Sequence, residues 1–215
     1  MDWNELVLEF MLPAVGSIAT VFAAGTAIWG IRAWRREYLG KRRIDLSEEI
    51  LALIYEARDV LEAVRSPLSR KGEGSTRQAN PDETPKEKEM LDQAYVQIER
   101  CNTRQDLFAQ LRSLRYRFMA QHGREAGNLF EELNAIRREL SRPINKLHLR
   151  IGALRRKKDT RNNDAFDKEL DKIWQEEWQT IYGYEGDNSD GEDPLLKRVD
   201  AIVKQFEEIC RKTIN

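Results

Sequence analysis

The chain has 215 residues, 34% of them charged, and a formal net charge of -1. That near-neutral balance argues against a general nucleic-acid binder, although the basic residues are clustered. The two cysteines, Cys101 and Cys210, sit on helical patterns without metal-ligand spacing and read as reduced, buried thiols.

Residues 1–9 carry Asp2, Glu5 and Glu9 and no Lys or Arg, and read as a short extracytoplasmic tail. From Phe10 to Ile31 no residue is charged. As a helix rising about 1.5 Å per residue this run is roughly 33 Å long, against a hydrocarbon core about 30 Å thick, so one transmembrane helix is expected over residues 10–31. A cleaved signal peptide needs a basic start and a shorter apolar core, and neither is present. The basic segment 32–43 follows, with Arg32, Arg35, Arg36, Lys41, Arg42 and Arg43. Cations flanking a span stay on the cytoplasmic side and meet anionic lipid headgroups, so the N-terminus is expected outside and the rest of the chain in the cytoplasm. Trp29, Trp34 and Tyr38 belong at headgroup level. Gly16, Thr20, Ala23, Ala27 and Gly30 recur at alternating spacings of four and three, and all are small. Such a seam lets helices approach closely in lipid, which predicts self-association into a homo-oligomer.

Residues 44–215 read as one cytosolic helical domain. Leu46, Ile50, Leu53, Ile54, Ala57, Leu61 and Val64 share one helical face. No proline separates them from the apolar run, so a nearly continuous helix to about Arg65 is expected, with Gly40 its weak point. The polar stretch 66–84, rich in Gly, Ser and Pro, reads as a mobile loop. Thr84, Pro85 and Glu87 form a helix start with a capping box. The helix after them presents Leu91, Ala94, Tyr95, Ile98 and Cys101, bends or breaks at Asn102-Thr103, and resumes with Leu107, Phe108, Leu111, Leu114 and Phe118. Gly123 is placed as its left-handed cap. The next stripe runs from Leu129 to Leu154, and Pro143 in its middle must kink or divide it. A further helix spans Ala165 to about Tyr182, an acidic mobile loop covers about 183–193, and Asp193-Pro194 opens the last helix. No strand pattern occurs, so the fold is all-α: a transmembrane helix followed by a bundle of four to six helices.

The chemistry-bearing residues are sparse. Placing Gly191 at the glycine of a calcium loop puts Gly186 first and Lys197 twelfth, both wrong for oxygen ligation. His148 has no second ligand at metal spacing, so neither a metal nor a cofactor is expected. Arg117 and His122 are separated by four residues at the end of a helix, in the stretch RFMAQH. This resembles the R-x4-H signature of the HEPN superfamily, helical-bundle proteins that include defence-associated ribonucleases. The resemblance covers those six residues and their helical context. It implies a dimer in which His122 acts in acid–base transfer at an RNA 2′-hydroxyl while Arg117 steadies the phosphate, without metal. The position after the arginine is polar in active members and is Phe118 here. The layout of a span before a bundle with a degenerate motif is also similar to membrane accessory proteins of RNA-targeting CRISPR systems, which implies the bacterial inner membrane and a pore-forming or defence role.

Three readings follow. The first is a membrane-anchored, self-associating module without catalysis of its own, acting as scaffold, sensor or pore-forming effector. The second is a membrane-tethered ribonuclease using Arg117 and His122, with RNA as substrate. The third is a module that docks one soluble protein partner and uses the span as an anchor.

Overall fold

The computed structural model describes the backbone of residues 12–157, 163–182 and 193–214, and the side chains of residues 20–157, 164–182 and 193–214. Every regular element among them is an α-helix: α1 (Leu12–Arg65), α2 (Pro85–Thr103), α3 (Gln105–His122), α4 (Ala126–Glu139), α5 (Ser141–Arg156), α6 (Asn163–Tyr182) and α7 (Pro194–Ile214). The chain divides into two units, Met1–Leu46 and Ser47–Asn215. The first holds the N-terminal part of α1, which continues through Gly40 without interruption.

In the second unit local chemistry sets the boundaries. Thr84 caps α2 by accepting from Glu87 N, and the Glu87 carboxylate accepts from Thr84 N at 2.7 Å, closing the expected capping box. Arg104 alone separates α2 from α3. Pro143 lies in the first turn of α5, where its missing N–H is harmless. Its ring would clash with the carbonyl of Glu139, and there α4 ends. Asp193 Oδ1 accepts from Leu195 N at 2.9 Å and caps α7. Gly123 ends α3 with φ 93°, as expected of a glycine, but its ψ of 167° is extended, so the chain leaves the helix straight and not through a left-handed cap.

Two aromatic-rich regions make the core. Leu91 and Ala94 of α2, Ile144, Leu147 and Ile151 of α5, and Phe166, Leu170, Ile173 and Ile181 of α6 are buried together, with Trp174 and Trp178 packed against them. Phe118 of α3, Phe130 of α4 and Phe206 of α7 form a triad with centroids 4.9 to 5.7 Å apart. Ring pairs of this kind add about 0.5–1.5 kcal/mol each beyond their buried area. α1 joins α7 through Tyr55 to Glu207 at 2.7 Å and Arg58 to Asp200 at 3.1 Å.

The stretch 66–84 is pinned at named points. Arg100 of α2 donates to both oxygens of Glu73 at 2.8 Å, and to the carbonyls of Ala63, Ser66 and Leu68 at 2.6 to 2.9 Å. Arg77 grips Glu83 through both carboxylate oxygens and reaches Asp92 at 2.9 Å. Composition alone suggested a solvated, mobile loop; these pairings tie it to α2. The acidic stretch 183–192, including the rejected calcium alignment's Gly186 and Gly191, lies outside the described residues.

Candidate functional site

Every residue of α1 from Thr20 to Arg32 is exposed, although most are apolar. Val21, Phe22, Ile28, Trp29, Ile31 and Trp34 are each between 52% and 72% exposed. Covering six such side chains is worth on the order of 10 kcal/mol, and nothing among the described residues claims it. Further along, the Trp34 and Tyr38 rings stack with centroids 5.6 Å apart, and Arg42 lies 5.7 Å from the centre of Tyr38. The cations Arg32, Arg35, Arg36, Lys41, Arg42 and Arg43 are all exposed.

Of the expected seam, Gly16 has its side chain outside the described residues, while Thr20, Ala23, Ala27 and Gly30 lie on one exposed face. A Cβ added at Gly30, or at Gly25, meets nothing within 4 Å. Glycine in a helix costs roughly 1 kcal/mol relative to alanine, and no packing demand among the described residues explains it here. A concave feature of this stretch lies elsewhere. Val21, Phe22, Gly25, Thr26 and Trp29 line a groove of about 380 Å³, about 150° around the axis from the seam at 100° per residue. Residue volume alone missed it, because the walls of the groove are its two largest side chains.

Among the described residues no helix is long and apolar enough to cross a membrane. The expected span starts at Phe10, and the side chains of residues 10–19 lie outside the described residues. What the structure supplies is therefore an exposed apolar helical stretch; a complete bilayer-crossing segment does not follow from it.

Arg117 and His122 both lie on α3, with His122 its last residue. Five positions apart, their side chains leave the helix about 140° from one another. Arg117 is solvent-facing, with Nη1 3.8 Å from a Glu49 oxygen. The His122 ring is half-buried over Phe118, at 4.4 Å between centroids. Proton transfer and phosphate contact at one atom need convergent groups, and these two meet different neighbours. A common point for them would have to come from a second copy of the chain.

The buried and half-buried titratable groups of the bundle are structural in geometry. Glu87 is fully buried and also accepts from Arg155 Nε at 2.9 Å. Burial pushes the Glu177 carboxyl up, but hydrogen bonds from Lys146 and Arg150 at 2.8 Å outweigh this and hold it below the usual range. His148 is half-buried, and burial followed by the charge of Arg77 lowers its pKa. Comparison with protein-family models, curated proteins and solved structures finds no match to the chain.

Proposed function

We propose that the chain is a helical module held at a lipid bilayer by its apolar N-terminal helix. That helix self-associates, and the bundle works as a scaffold, sensor or pore-forming effector without catalysis of its own. In this reading residues 10–31 form the span, the cations from Arg32 to Arg43 meet headgroups on the cytoplasmic side, and the bundle lies in the cytoplasm. One observation carries the proposal. An exposed, uncharged helical stretch runs from Thr20 to Ile31, and in the sequence the uncharged run reaches back to Phe10. Lipid on most sides and a second copy on one side would cover both its bulky and its small residues.

The ribonuclease reading rests on the six-residue resemblance; in one chain Arg117 faces solvent 3.8 Å from a Glu49 oxygen, and His122 lies against Phe118. The mass of the full chain solubilised in a non-ionic detergent tests self-association. A multiple of the 25.2 kDa protomer is expected. A return to monomer is expected when Ala23 and Ala27 are replaced by Leu. A wild-type monomer in detergent would contradict the proposal.

A further inference from the structure

We propose that the concavity between α3 and α4 binds a nucleotide, with its phosphates on arginine and its base on Tyr116. The cavity measures about 260 Å³ and is lined by Arg112, Arg115 and Tyr116 from α3, and by Glu131, Arg137 and Arg138 from α4. Four guanidinium groups face one carboxylate there, in a chain that is otherwise nearly neutral. The single carboxylate is already taken, because Glu131 pairs with Arg115. Arg112, Arg137 and Arg138 have no carboxylate partner among the described residues, while most arginines of the bundle do. Arg137 instead stands over the Phe108 ring, at 5.0 Å from its centre. Arg115 Nε is buried and finds no acceptor among the described residues. Guanidiniums such as Arg112, Arg137 and Arg138, which line one cavity without a carboxylate partner among the described residues, suit a phosphate group, whose oxygens accept from planar N–H pairs.

The aromatic component decides the class of anion. Tyr116 is 71% exposed at the cavity wall, and the Arg115 guanidinium lies 5.7 Å from the centre of its ring. A flat, exposed ring beside cations stacks a nucleobase and gives nothing to an inorganic anion or a lipid phosphate. The small volume favours one or two nucleotide units over a long strand.

The test is equilibrium dialysis of the full-length chain in non-ionic detergent micelles, with ATP as probe and pyrophosphate and adenosine as competitors. Saturable binding of one ATP per chain is expected, weakening as salt rises from about 0.05 to 0.3 M. Arg112 and Arg138 are exposed and have no carboxylate partner among the described residues, so R112A/R138A is expected to keep the wild-type circular dichroism and to weaken ATP binding about tenfold or more. Y116A is expected to weaken ATP about five- to tenfold and leave pyrophosphate unchanged. No saturable binding of ATP, or equal binding by wild type and R112A/R138A, overturns the site. Pyrophosphate competing as tightly as ATP overturns the nucleotide assignment.

Discussion

Arg65, at the last turn of α1, donates from Nε to the Asp193 carboxylate at 2.5 Å. Both side chains are nearly buried, at 8% and 11% exposure. From the same guanidinium, Nη1 reaches the carbonyls of Thr180 and Ile181 at the end of α6. One residue thus ties the end of α1, the end of α6 and the cap of α7, while Gln97 Nε2 adds a second donor to Ile181 O.

Removing one partner of this pair strands a buried charge and several helix-end carbonyls. R65M is expected to lose about 3–5 kcal/mol of stability, and D193N less, because its amide oxygen can still cap α7. Urea denaturation followed by circular dichroism measures both. A loss below about 1 kcal/mol for R65M would show that the junction is solvated and not structural.

Gly74 is held at φ 85°, and a Cβ there would run into the backbone oxygen of Asp92. Its N–H donates to Glu99 on the same helix. G74A is therefore expected to cost more than the roughly 1 kcal/mol of a left-handed alanine, and to release the stretch 66–84 from α2. Limited proteolysis near Arg70 and Lys71 reads this directly: the variant is cut faster, while wild type resists.

Acid acts on the same stretch. The hydrogen bonds from Arg100 hold the Glu73 carboxyl down at about 2, against an ordinary value of 4.5. A depressed carboxylate contributes stability that is complete above the unfolded value and is lost as pH falls through the folded one. Wild type is thus expected to lose stability between about pH 4.5 and 2, and E73Q to lose less over that window because it lacks the pair from the start. Thermal melts at stepped pH check the difference. Equal acid sensitivity of the two proteins would remove Glu73 from the account.

The thiols differ from ordinary surface cysteines. Cys210 is fully buried, and burial lifts its thiol to about 11, with a hydrogen bond from Ser47 offsetting part of that. Burial also raises Cys101, at the edge of a cavity. At pH 8 the native protein is expected to react with a disulfide reagent much more slowly than the urea-unfolded chain, with Cys101 modified before Cys210. Fast labelling of Cys210 in native protein would mean that α7 opens.

Much of the helical layout could be read from residue chemistry acting over a few positions. Thr84 and Glu87 are three apart, Pro143 acts on the carbonyl four residues before it, and the stripe from Leu107 to Phe118 repeats with each turn. The charged interior could not be read in this way. Glu87 meets Arg155 and Arg65 meets Asp193 at sequence separations of 68 and 128 residues, so polarity pointed to solvent where the fold places a partner. Leu51, Val96 and Gln97 are buried outside the stripes read from the sequence; Val96 lies beside the turn at Gly74 and Gln97 donates to Ile181 O at the end of α6, partners that no periodicity within one helix reveals. On the N-terminal helix the small residues were legible and the groove at Gly25 was not, since concavity depends on the tall side chains beside it.

Flotation of the full-length chain with liposomes containing anionic lipid, after an alkaline carbonate wash, tests the central claim most directly. The protein is expected to rise with the lipid, and a chain lacking residues 1–31 is expected to stay at the bottom of the gradient once carbonate has stripped headgroup contacts. Full-length protein left behind with that truncated chain would contradict a lipid-embedded N-terminal helix.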